Sequence, residues 1–540
     1  MQTATPRHWQ NFAIYALLGI AGVLQAFALA WPFEGASYGQ PIAALQLSSL
    51  AVLAAVIDRS SSVKQAFLQA WVFAGAWLAG TFWWLFISMH IYGEMPAPLA
   101  AAAVALLAVA LAVYYALAGA VYRRWCYQGQ SVFTRAVSFA ALWMLAELLR
   151  ATLFTGFPWG AIGYAHVDSP LRHWLPWVGI YGVSALAAFA CMLVTAKPAE
   201  HADKSSIWIW ALRLAVLVGL VTTWSTANTQ QAADSQDTSQ QPLKVALVQG
   251  NVPQDLKFGA AIPQAIADYR QALLANTAEF MALPETALPV LVDNLPDHFW
   301  NELKQHFANH QQLALIGVPM RAAGSSTQGQ LTNSAMALMP NASATNYRYD
   351  KHHLVPFGEF VPPMFRWFVD LMHIPLGSFG RGALGQPLLE FKGERIATNI
   401  CYEDLFGEEI AQSFSDPEHS PTLMINLSNI AWFGNTVAID QHLHISRARA
   451  MELGRPMLRA TNTGATAIID AQGVVTHRLA SGVQGVLSGE VRGVHGALTP
   501  YALWASKLGL LPLWLLGIAT VLTVAALTHR GRHGRRRFGP

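Results

Sequence analysis

Of 540 residues only 12% are charged, 34 Lys and Arg against 31 Asp and Glu, roughly half the share usual in soluble proteins. Hydrophobic residues reach 53%, aromatic ones 11%, and mean hydropathy is +0.32, which excludes a disordered chain and an array of cytosolic domains. A net charge of +3 with no basic patch inside a folded segment gives little support to nucleic-acid binding. Three cysteines, Cys126, Cys191 and Cys401, are too few and too scattered for a disulfide framework or a zinc site.

The apolar residues are segregated along the chain. Residues 1–224 hold 18 of the 65 charges and contain seven apolar runs, at 11–31, 39–57, 66–90, 97–120, 136–154, 174–195 and 207–224, each near the ~20 residues that cross a bilayer. An eighth, 508–527, stands alone, so the segment from 225 to 505 is an insertion between spans seven and eight. Cations mark one side: Arg7, Arg59, Lys64, Arg123, Arg124, Arg135, Lys197, Lys204 and the five arginines of the tail make 13, while the opposite short loops hold only Arg172. Cationic loops stay in the cytoplasm, so both termini are expected there and the insertion on the far side. The first span is too long for a signal peptide and lacks a cleavage site, which makes it an anchor. The GRHGRRR tail reads as a positive-inside segment against anionic lipid.

Two features of this block go beyond anchoring. Glu147 and Arg150 share a helical face inside the fifth span, where unpaired charge is costly; a head-group site and a structural pair are both open readings. The loop FTGFPWGAIGY at 154–164 is aromatic and glycine-rich, suited to an interfacial belt or a lipid-facing surface.

Residues 225–242 have almost no large apolar side chains and read as a flexible linker. Beyond it, short apolar runs at 243–249, 279–284, 312–318, 334–339, 395–400, 422–427 and 466–470 alternate with helical patterns such as 437–453, which ends at Gly454. This is an α/β domain of about 250 residues with buried strands. The expected organisation is thus a seven-span block (1–224), the linker, a catalytic domain (243–500), and an eighth span with a basic tail (506–540). No phosphate-binding glycine loop is present.

Strand ends are where α/β folds build sites, and three suitable groups fall there: Glu285 in MALPETALP, Lys351 in RYDKHHLVPFGEF, and Cys401 in RIATNICYEDLFGEE. A helix predicted from DLFGEEIAQSF would put its N-terminus near the Cys401 sulfur and favour thiolate. A carboxylate can take the thiol proton and a fixed ammonium can hold an oxyanion. Each residue alone has a plainer reading: core cysteine, surface charge.

Taken together, LPET, KHHLVPFGEFVP, NICYEDLF, SNIAWFG and QHLHISRARAMELGRP resemble the nitrilase superfamily. With seven spans before and one after, the chain is similar to the bacterial apolipoprotein N-acyltransferase family over nearly its whole length. The resemblance implies a polytopic helical bundle of eight spans carrying an α-β-β-α sandwich on the periplasmic side of the inner membrane. It makes Cys401 the nucleophile, Glu285 the general base and Lys351 the oxyanion cation. Glu359 matches the family's second acidic residue, orienting Lys351; Tyr402 and Glu403 match positions beside the nucleophile, shaping an oxyanion pocket or holding the loop. Phe258 stands where the family commonly has Trp, which keeps an aromatic lining and removes the indole N–H.

Such proteins move an acyl chain from a phospholipid, chiefly phosphatidylethanolamine, to the α-amino group of a diacylglyceryl-cysteine at an apolipoprotein N-terminus, through a thioester. Glu285 serving both half-reactions requires a carboxyl that titrates near neutrality. The glycine-rich stretch 375–387 reads as a mobile lid, or as a passive surface loop. No cofactor is implied, and neither His352–His353 nor His442 and His444 puts two ligands on one helical face, so no metal is expected. The competing classes are a membrane-tethered amidase, which has no use for eight spans, and a scaffold or transporter with a structural nitrilase-like domain.

Overall fold

The computed structural model describes residues 7–127, 130–197, 241–257, 259, 261–322, 330–340, 347–362 and 379–537. The expected span at 207–224, nearly all of the linker and Phe258 lie outside them. The chain forms two compact units: Met1–Phe86, Pro96–Thr229 and Leu510–Pro540 in the first, Ile87–Met95 and Gln230–Gly509 in the second.

The first unit is helical: α1 (Arg7–Phe27), α2 (Ala43–Asp58), α3 (Val63–Phe82), α4 (Ala97–Val121), α5 (Val132–Thr152), α6 (Leu175–Thr195) and, from the far end of the chain, a long helix Leu511–Arg537 packed on α5. Among the described residues five helices are long and apolar enough to cross a membrane, α2 is a shorter apolar helix, and the expected span 66–90 is bent where α3 gives way to Leu85–Tyr92. Hydrocarbon offers no hydrophobic drive between helices, so small residues set the packing. At Gly119 on α4 an added Cβ would meet the Ala66 carbonyl oxygen at 2.9 Å and the Ala70 Cβ at 3.0 Å.

Glu147 and Arg150 of α5 both hold the loop that follows it. Glu147 accepts from the Ile162 backbone N–H at 3.0 Å and from Trp143 Nε1 at 3.1 Å. Arg150 donates to the Phe157 and Trp159 carbonyls at 2.7 and 2.6 Å and to Tyr115 Oη at 3.1 Å. Both are buried, so the contacts favour the structural reading: the pair folds the loop back against its own helix. The loop itself divides, Phe154 standing 79% exposed while Trp159 and Tyr164 are buried.

The second unit holds two six-stranded sheets. The first runs β12-β1-β2-β3-β4-β5, from β1 (Leu243–Gln249), β2 (Phe280–Ala282), β3 (Leu313–Arg321), β4 (Leu331–Leu338), β5 (Arg348–Asp350) and β12 (Gly485–Val491). The second runs β11-β10-β9-β8-β7-β6, from β6 (Leu389–Phe391), β7 (Glu394–Ile400), β8 (Leu423–Ser428), β9 (Met457–Thr461), β10 (Ala467–Ile469) and β11 (Val475–Arg478). In each, three central strands are parallel and the flanking ones antiparallel.

Val245, Leu247, Phe280 and Leu315 of the first sheet share one buried core with Ile396, Ile400, Ile425 and Leu458 of the second. The alternate residues Ala246, Val248, Met281 and Ile316 pack against Tyr269 and Leu273 of the helix Ile262–Ala275 and against Trp300, Leu303 and Phe307 of the helix Asp297–His310. The helix Ala438–Leu453 is buried throughout and ends at Gly454 with φ +65°, the left-handed cap that glycine tolerates. Sheets buried on both faces explain why these strands read as continuous apolar runs.

Candidate active site

The loops after the parallel strands β1, β2, β7, β8 and β9 supply much of the site, and the antiparallel strand β4 and the end of antiparallel β5 add Asn333 and Lys351. Cys401 follows β7 at φ +54°, a region that costs a non-glycine residue energy unless its neighbours hold it. Its carbonyl accepts from Asn426 Nδ2 at 3.2 Å and from His442 Nε2 at 3.3 Å. Arg459 Nη2 lies 3.1 Å from His442 Nδ1; since arginine only donates, Nδ1 accepts and the ring proton is assigned to Nε2. Arg459 also pairs with Asp404, at 3.0 Å, so both sides of the turn are tied to β9. No long helix follows Cys401: Cys401–Leu405 and Ala411–Phe414 are 3₁₀ turns around the four-residue helix Gly407–Ile410. The expected dipole is therefore missing.

Glu285 sits in the turn after β2. Its Oε1 accepts from Asn333 Nδ2 at 2.7 Å and from Lys351 Nζ at 3.2 Å, and its Oε2 from the Asn429 backbone N–H at 2.8 Å. Gly317 on β3 makes room for this turn, because a Cβ there would lie 2.2 Å from the Pro284 carbonyl oxygen. Lys351, directly after β5, anchors its backbone N–H on the Asn333 carbonyl at 2.8 Å. Its fully buried ammonium reaches Glu359 at 3.0 Å. Asn333 Nδ2 touches Glu359 Oε1 as well, at 2.7 Å, so one amide and one ammonium bridge two carboxylates.

Ionisation follows from that cluster. Burial would raise Glu285, but Lys351, Asn333 and Lys257 outweigh it and hold the carboxyl below its usual range. This corrects the expectation of a resting carboxyl near neutrality. Burial likewise opposes charge on Lys351, yet Glu285 and Glu359 push it above the ordinary lysine value. The Cys401 thiol is pushed up to about 12 by burial first and the Glu285 charge second, with Lys351 pulling the other way. The resting pair is thus a thiol beside a carboxylate, not the thiolate that a helix N-terminus would favour.

Glu403 is a clamp. Its Oε1 accepts from the His352 and His353 backbone N–H groups at 2.6 and 3.2 Å, and its Oε2 from Ile400 N–H at 2.6 Å and Tyr349 Oη at 2.9 Å. One carboxylate therefore binds the cysteine loop to the lysine loop. Burial pushes it up to about 7 against those donors. A carboxyl raised in the folded state stabilises the fold below its ordinary range and loses that contribution as pH climbs through about 7. Glu403→Gln offers one acceptor where two serve and loses about 1–3 kcal/mol per orphaned donor. Melting curves between pH 5 and 8 are expected to show a lower and flatter Tm profile for the variant than for the parent.

Tyr402 is buried against Phe406 and His353, at ring separations of 5.4 and 5.7 Å. Of the glycine-rich stretch 375–387, residues 375–378 lie outside the described residues. The rest is bonded to the lysine strand: Gly382 N–H donates to the Lys351 carbonyl at 2.9 Å, and the Gln386 side chain meets both Asp350 N and O. Among the described residues no group of three or more His, Cys, Asp and Glu could hold a metal. Residues the sequence did not single out are Asn333, Asn429 and Lys257. Asn429 lies in the SNIAWFG motif, whereas Asn333 stands between Thr332 and Ser334 in the polar first half of β4, where nothing in the sequence marks it.

A family model described as apolipoprotein N-acyltransferase N-terminal domain matches residues 11–193, and one described as carbon-nitrogen hydrolase matches 244–497. An apolipoprotein N-acyltransferase of Verminephrobacter eiseniae is 48% identical over 91% of this chain and 92% of its own. One from Ralstonia nicotianae is 41% identical over 94% and 97%. Saccharomyces cerevisiae Nit3, of the nitrilase superfamily, aligns with 46% of this chain and 90% of its own at 17% identity and TM-score 0.35. With one family model over residues 11–193, another over 244–497, and relatives this similar over nine-tenths of its length, the chain belongs to the apolipoprotein N-acyltransferase family, a family of membrane enzymes.

Proposed function

We propose that the protein transfers a fatty acyl chain from a phospholipid, phosphatidylethanolamine in the first instance, to the α-amino group of the N-terminal S-diacylglyceryl-cysteine of apolipoproteins. This is the last step of bacterial lipoprotein maturation. The observation that carries the reading is the convergence of Glu285 and Lys351 on one buried carboxylate–ammonium contact whose charges govern the Cys401 thiol, in a chain of this family.

The reaction is ping-pong. Glu285 takes the thiol proton as sulfur attacks the ester carbonyl, and Lys351 turns its N–H groups to the developing oxyanion. That movement matters energetically. As Lys351 leaves Oε1, the carboxylate loses the contact that holds its pKa down and becomes the stronger base it must be. Glu285 then protonates the departing lysophospholipid alcohol, and in the second half-reaction it takes a proton from the attacking amine. Glu359 keeps the ammonium in place and Tyr402 shapes the nucleophile turn, while the family resemblance assigns Phe258 an aromatic lining role.

The four layers of the inserted domain are read as an α-β-β-α sandwich, supported by the core shared between the sheets and the helices packed outside the first. The apolar helices, the shorter α2 and the 207–224 run together support eight spans in the inner membrane. Both termini are then cytoplasmic and the catalytic domain periplasmic. No metal or cofactor takes part.

The test uses full-length protein in micelles with phosphatidylethanolamine and a diacylglyceryl peptide. One lysophospholipid released per triacylated peptide is expected. Hydrolysis of small amides without acyl transfer would favour an amidase instead.

A further inference from the structure

One buried cation of the site has no part in this scheme. Lys257 is 3% exposed, and its ammonium donates to the backbone carbonyl of Glu285 at 3.1 Å. The loop that carries it is stitched in place. Asn251 N–H donates to the Asn462 carbonyl at 2.8 Å, Val252 N–H to Asn462 Oδ1 at 3.0 Å, and Asn462 Nδ2 to Asn429 Oδ1 at 3.0 Å. Asn429 Nδ2 in turn donates to Gln254 Oε1 at 2.9 Å. Asn429 is the residue whose backbone N–H holds Glu285 Oε2, so the lysine loop and the base are fixed to the same residue, one by its side chain and the other by its backbone.

A buried ammonium costs several kcal/mol of desolvation unless charge nearby compensates. The titratable groups that act on Lys257 are Glu285 after β2 and Cys401 after β7; Asp255 on its own loop is exposed. Reciprocally, Lys257 acts on the Glu285 carboxylate beside Lys351. The two lysines differ in kind. Lys351 touches the carboxylate and moves with the reaction, whereas Lys257 grips the backbone of the same residue and stays.

We propose that Lys257 is a positioning residue for acyl transfer, a second, stationary cation that keeps the Glu285 carboxylate ionised and in place while Lys351 is engaged by the oxyanion. The inference rests on Glu285 acting as the base. Burial, only partly offset by Glu285 and Cys401, brings Lys257 down to about 8, so its charge fades within an accessible range and the rate is expected to fade with it.

The experiment follows acyl-enzyme formation on full-length protein with a fluorescent phospholipid between pH 5.5 and 9.5. Wild type is expected to lose rate above about pH 8. Lys257→Arg keeps the acid limb and shifts the alkaline limb upward, because guanidinium stays charged. Lys257→Met moves the acid limb up by about one pH unit, the sign of a carboxyl that has lost a neighbouring cation, and lowers the rate at pH 7. If both variants retain the wild-type limbs, whatever their rates or melting temperatures, Lys257 only packs and the inference fails. Should Glu285→Gln still acylate at the wild-type rate, the base assignment falls and this inference with it. A dead Gln variant beside unmoved Lys257 profiles overturns this inference alone.

Discussion

Replacing Cys401 with alanine is expected to abolish acyl transfer, by on the order of 10³-fold or more. Intact mass after incubation with phospholipid should then show a hydroxylamine-labile fatty-acyl adduct on the parent and none on the variant. Serine is expected to fare no better. The thiol already sits at about 12 beside a carboxylate held below its usual range, so proton transfer is uphill at rest and becomes possible only as Lys351 turns toward the oxyanion. An alcohol ionises several units higher still and forms no thioester. An acyl adduct that persists in Cys401→Ala would place the nucleophile elsewhere and sink the scheme.

Lys351→Met should be nearly as damaging, and for a reason visible in stability as well as rate. Glu285 and Glu359 are both buried and are bridged by a single Asn333 amide and the Lys351 ammonium. Without the ammonium, two like charges face each other across one shared amide with no cation between them, and breaking such a buried pair costs about 3–5 kcal/mol. A proton is taken up instead, raising one carboxyl. In the parent, the lowered Glu285 contributes stability above the ordinary carboxyl range and loses it as pH falls. In the variant the raised carboxyl contributes at low pH and loses it as pH rises. The pH dependence of Tm attributable to this pair should therefore reverse sign between the two proteins, with activity down by about 10²–10³. A variant within tenfold of the parent rate would mean that the oxyanion is held by other donors.

Much of the second unit was legible because its central strands are buried on both faces. LKVALVQ is β1 without adjustment, and RIATNI and TLMINL lie within one residue of β7 and β8. The strands β5, β6, β11 and β12 escaped because they flank the sheets, and the central, buried β9 escaped because MLRAT is a five-residue run interrupted by Arg459. GVLSGEV alternates partly exposed and exposed residues along most of β12, and pairing it with β1 joins segments more than two hundred residues apart. The site divides in the same way. Glu285, Lys351 and Cys401 stand at strand ends, which sequence reveals, whereas Asn333, Asn429 and Lys257 matter through what they touch. The thiol was misjudged because ionisation is set by burial and by neighbouring charge, and neither is local in sequence.

The second unit is not one uninterrupted stretch. Ile87–Met95 is counted within it, although those residues precede the linker by more than a hundred positions. There Tyr92 meets the Trp432 ring edge-on at 5.9 Å, and a Cβ on Gly434 would touch the Ile87 side chain at 3.5 Å. Trp432 lies three residues beyond Asn429, whose backbone steadies the base. A gene fragment begun at residue 243 would therefore encode a domain with a notch, Trp432 stripped of its Tyr92 partner three residues from Asn429. The border between membrane block and enzyme is drawn in space, and a truncation designed on linear position alone cuts through it.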